Sequence, residues 1–139
     1  MDTPASTPPP QVWPALRAAD APALIDFLDR AFGFVPVAVH VDDATGLVMH
    51  AELIWPLGGG IMLGSVRPDD GDRWPVGPGS FGCYVVTDNP DALHDRAVAA
   101  GARIVVPLAD LDYGSREFQA ADPEGNRWSF GTYRGEAWS

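Results

Sequence analysis

Residues 20–33 read DAPALIDFLDRAFG, and residues 88–101 read DNPDALHDRAVAAG. The two stretches match at a fixed offset: each opens with an Asp two residues before a Pro and closes with a Gly. An acidic cap, an early proline and a glycine stop are typical of a helix. Because an apolar, strand-length run precedes each copy, the repeat predicts two homologous half-domains.

A second correspondence extends each copy into further strands. Gly58, Leu63 and Gly64 match Gly125, Phe130 and Gly131. Apolar alternation predicts strands at 12–17, 34–41, 49–55, 60–66, 81–86, 103–106, 117–121 and 127–132, with helices at 20–31 and 89–100. The unit is therefore one strand, one helix and three strands, twice over. We divide the chain into a disordered tail (1–11), a first module (12–66), a linker (67–79), a second module (80–133) and a second tail (134–139).

The bulk composition indicates one acidic domain. The chain has 139 residues, 46% of them hydrophobic, and a formal net charge of −10. This charge argues against a nucleic-acid partner and serves either solubility or attraction of a cationic ligand. No apolar run approaches the roughly 20 residues of a membrane span. The proline-rich start does not read as a signal peptide, and with a single cysteine, Cys83, we expect a cytoplasmic protein.

Several motifs together resemble one family. They are Asp122 to Ser129 (DPEGNRWS), Tyr113 to Arg116 (YGSR), His50 to Leu53 (HAEL) and the pair Met62 and Leu63. They resemble the glyoxalase/bleomycin-resistance/dioxygenase (vicinal oxygen chelate, VOC) superfamily, and within it the PhnB-like, glyoxalase-like branch. The resemblance implies an α+β fold of two tandem βαβββ modules, whose eight strands form an open, U-shaped barrel around a central cavity. It also implies a homodimer.

The resemblance allows a test for a metal site. Metal-dependent members hold a divalent ion with one residue from each of the first, fourth, fifth and eighth strands, typically His, Glu, His and Glu. In this sequence those places fall on Trp13, Met62, Gly82 (Cys83 if the register slips by one) and Ser129. These side chains are not the imidazole or carboxylate ligands that a divalent ion prefers. We therefore expect no metal and no other cofactor; the alternative is a metal bound at a place other than the family's.

The same strand positions predict the lining of the cavity. Alternate residues of a strand share one face, so Trp128 and Phe130 are expected to face the helices as core. The opposite face and the loop before the seventh strand offer aromatic, thioether, hydroxyl and guanidinium groups, a mixture suited to a flat organic ligand. The predicted ligand-binding residues are Trp13, Arg17, Met62, Tyr84, Tyr113, Arg116, Arg127 and Ser129.

Each of these candidates also has a structural interpretation. Trp13 either stacks on a ligand or plugs the barrel, and Met62 is either a contact or a packing residue. Arg17 and Arg127 either orient an anionic group of the ligand or form ion pairs with the abundant acids. Ser129 has no base beside it in the sequence, which disfavours a nucleophile.

His50 and Glu52 form the best catalytic candidate. They lie two apart on a predicted strand and share a face, where the carboxylate would tune the imidazole for proton transfer. Tyr113 and Arg116 would add a hydroxyl and a positive charge. The alternative is that His50 and Glu52 lie on a rim or at a subunit contact.

Two functions remain open. The favoured one is a metal-free protein that binds a small aromatic or cationic organic molecule for drug or metabolite sequestration, as the resemblance to bleomycin-resistance members implies. The other is an enzyme, an isomerase, lyase or glyoxalase-like activity, in which His50 and Glu52 transfer the proton.

Overall fold

The computed structural model describes residues 9–71 and 73–138 and contains two modules of identical element order. The predicted tail at 1–11 falls mostly outside these residues. The first module comprises β1 (Ala15–Ala18), α1 (Ala21–Phe27), β2 (Val35–Val41), β3 (Val48–Ile54) and β4 (Gly60–Ser65). The second comprises β5 (Gly82–Val86), α2 (Pro90–Ala99), β6 (Arg103–Asp110), β7 (Arg116–Ala121) and β8 (Arg127–Gly131). A short 3-10 turn, Glu136–Trp138, follows β8.

Each module folds its four strands into one sheet. The strand orders are β1-β4-β3-β2 and β5-β8-β7-β6, with the first pair of each sheet parallel and the others antiparallel. This confirms the α+β class and the tandem βαβββ modules. The eight strands are divided between two separate sheets, which are not closed into a barrel.

The two helices begin and end near the predicted residues. Asp20 caps α1 by accepting a hydrogen bond from the Ala23 amide (3.2 Å). The second helix is capped by Asn89, one residue later than the repeat suggests, because Pro90 is already its first helical residue and lacks the N–H that would need a partner. Gly33 ends the first helical segment at φ 87°, in the left-handed region that glycine adopts without strain.

Two elements differ from the sequence-based expectation. α1 ends at Phe27 and continues as a π-helical turn, Leu28–Phe32. β6 runs from Arg103 to Asp110 through Pro107, whereas a loop was expected after 106. Because β6 is an edge strand, a residue without an N–H is tolerated there.

One core joins the modules. Trp128 and Phe130 are fully buried, as predicted, and Phe32 of the first module contacts both rings at centroid distances of 5.8 and 4.7 Å. Phe34 packs edge-on against Trp128 at 5.4 Å. The helix-side faces of both sheets therefore share one hydrophobic core, and the opposite faces remain open.

Hydrogen bonds also fasten one module to the other. The Glu124 carboxylate accepts from the amides of Ala19 (2.7 Å) and Asp20 (2.8 Å), where α1 begins. The Arg96 guanidinium donates to the carbonyls of Arg30 and Asp29, both at 2.8 Å. These contacts fix the relative position of the two sheets and with it any cavity between them. Within the described residues, neither helix has the length and apolarity to cross a bilayer.

Candidate functional site

A large cavity lies between the β3–β4 hairpin of the first module and β5 of the second. Its volume is about 590 Å³, within the range of drug-sized ligand pockets. Its lining is mostly apolar or aromatic and comprises Val12, Pro14, Phe34, Trp55, Leu57, Gly58, Gly59, Gly60, Ile61, Cys83, Tyr84, Val85, Val86 and Arg134. We call it the intermodule cavity.

Trp55 is the central wall residue of this cavity. Its ring packs against Phe34 at 4.9 Å and against Phe130 at 6.1 Å. Its indole N–H donates to the Val86 carbonyl at 2.8 Å, across the module boundary. The ring is therefore held in place before any ligand arrives.

Gly60 shapes the edge of the cavity beside Trp13. A Cβ at Gly60 would lie 2.5 Å from the Leu53 carbonyl oxygen and 2.8 Å from the Trp13 ring, so a larger residue would not fit against this backbone. The Trp13 indole N–H donates to the Pro10 carbonyl at 3.1 Å. Trp13 thus borders the cavity through Gly60 without lining it.

Tyr84 is the one predicted ligand-binding residue that lines the intermodule cavity. Its hydroxyl donates to the Tyr133 carbonyl at 2.7 Å, and burial raises the pKa of the phenol. Tyr84 is in register with Ser129 on β8, so these two predicted residues share the open face of the second sheet.

Cys83, beside Tyr84, gives the cavity a chemical reporter. Burial raises the pKa of its thiol, and the thiolate is the reactive form. We predict that iodoacetamide alkylates Cys83 more slowly than free cysteine at pH 8, with a rate that rises as the pH approaches the raised pKa. Intact-mass spectrometry over time measures this, and a rate equal to that of free cysteine would contradict it. A compound bound in the cavity is expected to slow the reaction further.

Tyr113 belongs to a hydrogen-bonded group close to the Tyr84 hydroxyl, because Glu117 and Ser115 both affect the pKa of Tyr84. Its hydroxyl donates to Glu117 Oε2 at 2.6 Å, and this bond to the carboxylate raises the pKa of Tyr113 to about 12. Ser115 donates to the same oxygen at 2.7 Å. Tyr113 therefore remains a neutral donor at neutral pH, already engaged by Glu117.

Arg116 and Arg127 lie apart from the intermodule cavity. Arg116 forms ion pairs with Asp91 (2.7 Å) and Asp110 (3.1 Å), and the hydrogen bond to Asp91 is the main cause of its raised pKa. Arg127 begins β8 opposite Gly82 and is exposed. The Arg116 guanidinium, predicted to supply a positive charge to a ligand, is thus already engaged by two carboxylates.

Arg17 and Met62 lie on the open face of the first sheet. With His50 and Trp74 they line a smaller cavity of about 160 Å³, which shares no residue with the intermodule cavity. Arg17 is paired with Asp70 at 2.8 Å. The predicted ligand residues therefore do not line one common cavity.

His50 and Glu52 meet as the sequence predicts. His50 Nε2 and Glu52 Oε2 are 2.8 Å apart, with side chains 41% and 34% exposed. The His40 ring stacks on His50 at a centroid distance of 6.2 Å, since the two residues are paired across β2 and β3. Glu52 is opposite Met62 on β4, which places the pair on the same face as the smaller cavity.

The family's metal positions do not provide a suitable ligand set here. On the four strands concerned, Met62 is paired with Ala15 of β1 and Ser129 with Tyr84 of β5, so the register adds no imidazole or carboxylate. Glu52, opposite Met62, stands on β3, which is not one of those strands. Across residues 9–71 and 73–138, no three His, Cys, Asp or Glu side chains converge in a geometry that would hold an ion. The residues do not fit the metal that the resemblance implies.

Sequence reasoning missed most of the intermodule cavity. Trp55, Phe34 and Arg134 were not candidates, and Cys83 was considered only as a metal ligand. One signal was present: Leu57 stands in the β3–β4 turn, where polar residues are usual, and it is half exposed. An apolar residue at a hairpin tip next to Trp55 indicates a surface that contacts a ligand or another part of the protein.

The fold and the open sheet faces define a glyoxalase-like α+β protein. The chain belongs to the Glyoxalase/Bleomycin resistance protein/Dioxygenase superfamily, whose family model matches residues 11–130. It is 35% identical over 135 residues to an uncharacterized protein of Mycobacterium tuberculosis, covering 94% of this chain and 78% of the relative.

Solved structures agree with this assignment. The chain resembles TioX from Micromonospora sp. ML1 at 30% identity with a TM-score of 0.69, covering 86% of this chain and 95% of TioX. A glyoxalase/bleomycin resistance protein from Streptomyces sp. CB03234 superposes with a TM-score of 0.62 at 22% identity, covering 84% and 94% of the two chains. The second likeness concerns the fold alone.

Proposed function

We propose that this protein binds a small, flat aromatic molecule in the intermodule cavity without a metal, and that it serves to sequester a drug or metabolite. The observation that carries the proposal is the cavity itself, about 590 Å³ with Phe34, Trp55 and Tyr84 in its wall. Aromatic faces held at fixed positions favour an aromatic guest, because stacking adds to the free energy of burying apolar surface.

The polar groups in the wall support recognition by shape and stacking. Trp55 Nε1–H and the Tyr84 hydroxyl already donate to carbonyls of the protein. Arg134, the charged residue of the lining, is paired with Asp88. A ligand that required many new hydrogen bonds would find few free partners in the wall. An apolar ring system has no hydrogen bonds with water to give up on entering.

A positive charge on the ligand is compatible with this site. The net charge of −10 concentrates cations near the surface, and the Glu117 carboxylate lies close enough to Tyr84 to affect its pKa. We therefore extend the proposal to aromatic cations, for which the attraction would weaken with added salt.

Native mass spectrometry tests the binding proposal directly. The protein is incubated with a panel of planar aromatic compounds, neutral and cationic, matched with aliphatic compounds of similar mass, and both the bound species and the free pool are analysed. We expect one or more aromatic compounds to be retained at unchanged mass. Retention of aliphatic and aromatic compounds alike would contradict the proposal.

A second function rests on the His50–Glu52 contact. A carboxylate 2.8 Å from an imidazole is the arrangement of a general base and its orienting group. In this alternative the protein is an isomerase, lyase or glyoxalase-like enzyme acting at the open face of the first sheet. A compound that appears in the free pool at a new mass would favour it.

Replacing His50 by alanine separates the two functions. If the site is catalytic, His50→Ala should lower turnover by about 10²-fold or more, the usual contribution of a general base. His40→Ala is the matched control, because His40 stacks on His50 and has no carboxylate partner among the described ion pairs. The binding function predicts that ligand affinity is unchanged in both variants, measured by isothermal titration calorimetry.

We also propose a homodimer acting in the cytoplasm. β2 is an edge strand whose four valines, at 35, 37, 39 and 41, are each about half exposed, and apolar edges are surfaces that proteins usually cover. Sedimentation velocity tests the dimer, which a monomer at micromolar concentration would contradict. Cell fractionation tests the compartment.

A further inference from the structure

Asp70 is held by the Arg17 side chain and the Arg67 backbone at a third cavity, beside β1. Arg17 donates from Nε and Nη2 to the two Asp70 oxygens, at 2.8 and 3.1 Å, with side chains only 18% and 13% exposed. The Arg67 amide donates to Asp70 Oδ2 at 3.2 Å. Asp70 therefore neutralises Arg17 in a bidentate pair.

The second guanidinium has no such partner. Arg67 donates from Nη2 to the Met49 carbonyl, and among the described residues no carboxylate lies within ion-pair distance of it. Its Nε is buried and has no hydrogen-bond partner. A buried N–H is normally hydrogen-bonded, because water no longer reaches it.

Trp74 presents a second unmet donor at the same place. Its ring covers the Arg17 guanidinium at 5.4 Å, and its indole N–H is buried without a partner. These are the two buried side-chain donors or acceptors of the described residues that lack a partner. Both belong to residues that line one cavity.

That cavity has the size and charge for a small anion. Its volume is about 220 Å³, and the described residues of its lining are three arginines, two aspartates and one tryptophan: Arg17, Arg67, Arg73, Asp69, Asp70 and Trp74. With a liquid volume of about 30 Å³ per water molecule, the space holds several waters or one small oxyanion. Counting only residues that the structure describes, the lining carries one positive charge more than negative, in a chain whose net charge is strongly negative.

We propose that this cavity binds an oxyanion, a carboxylate or phosphate group, through the Arg67 guanidinium and the Trp74 indole N–H. An oxyanion satisfies both donors and matches the unpaired charge of Arg67, which neither a neutral nor a cationic ligand does. The site shares no lining residue with the intermodule cavity. Anion binding here can therefore be tested independently of the proposed function.

The Trp74 indole N–H signal in a ¹⁵N–¹H spectrum reports on this site. Inorganic phosphate and acetate are titrated separately at constant ionic strength against chloride, and Trp74→Phe identifies the signal by its disappearance. We expect a saturable movement of the Trp74 signal to higher frequency. Saturation by phosphate alone identifies a phosphate-type site, and saturation by acetate as well identifies a carboxylate-type site.

Arg67→Gln is the decisive variant. It removes the charge and the Nε donor, and we expect the dissociation constant to rise about tenfold or more. Arg30→Gln makes the same change in an exposed ion pair with Asp26, away from the cavity, and should leave binding unchanged. If Arg67→Gln disturbs the other indole signals, Arg67→Lys, which lacks the Nε–H, takes its place and should also weaken binding. No saturable movement with either ion, or equal affinity in the Arg67 variant, would overturn the proposal.

Discussion

Replacing Asp122 by alanine should lower the free energy of unfolding by about 3 kcal/mol or more, the scale expected when several buried donors lose their acceptor. Asp122 Oδ1 accepts from the amides of Glu124 (2.8 Å) and Asn126 (3.1 Å). Its Oδ2 accepts from the Asn126 side chain and from the Trp128 indole N–H, both at 2.9 Å. Asp122 is 6% exposed, so water does not readily replace its carboxylate as the acceptor.

The effect should reach beyond the β7–β8 turn. Trp128 is the centre of the shared core, in contact with Phe32, Phe34 and Phe81. Glu124, held in the same turn by its bond to Asp122, fastens the start of α1. Losing Asp122 therefore loosens both the core and the junction between the modules.

Urea unfolding followed by tryptophan fluorescence measures the loss. The midpoint should fall with little change in the slope m, and Tm should fall by about 10 °C. Asp43→Ala is the matched control, since Asp43 is an exposed acid whose removal should change stability by less than about 0.5 kcal/mol. A loss at Asp122 no larger than the control would show that the turn does not hold the core.

The turn that carries this prediction could be recognised from the sequence, and the reason is local. An Asp followed by Pro-Glu-Gly-Asn specifies its own hydrogen bonds within five residues, and Gly125 supplies the positive φ that the turn requires, at 94°. The Asp20 cap and the Gly33 stop are equally local, and they too are confirmed.

The sheet face on which each side chain lies could also be predicted from the sequence, because side chains alternate along a strand. His50 and Glu52 were predicted to share a face, and in the structure their side chains are 2.8 Å apart. Trp128 and Phe130 were predicted to be core residues, and both are fully buried. Alternation gives the face of each sheet but not what lies opposite that face.

The intermodule cavity depends on that missing information. Its wall brings Trp55, at the end of β3, to the Val86 carbonyl, at the end of β5. No periodicity within either module encodes their distance, which follows from how Phe32 and Phe34 pack under β8. For the same reason the sequence analysis assigned Arg17 and Tyr84 to one cavity. In the structure Tyr84 lines the intermodule cavity and Arg17 lines the smaller cavity of the first sheet.

Ligand binding should be most sensitive to Trp55. Trp55→Leu keeps an apolar side chain against Phe34 and Phe130 but removes the flat ring and its hydrogen bond to Val86. We expect the dissociation constant of an aromatic ligand to rise about 10- to 100-fold, which corresponds to about 1.4–2.7 kcal/mol and is consistent with the loss of a stacking partner and its buried area. Titration calorimetry with a compound retained in the mass-spectrometric panel measures the change.

Trp13→Leu is the informative comparison, because it removes the same ring at the position that sequence reasoning favoured. Trp13 is not among the residues that line the cavity, so its replacement should change the affinity by less than about threefold, which is within about 0.7 kcal/mol. Circular dichroism of both variants establishes that each still folds. If Trp13→Leu weakened binding as much as Trp55→Leu, the ligand would extend onto the face of the first sheet that carries Trp13. If neither variant weakened it, the aromatic wall would not be the site of binding, since the indole of Trp55 is the largest ring that the cavity offers.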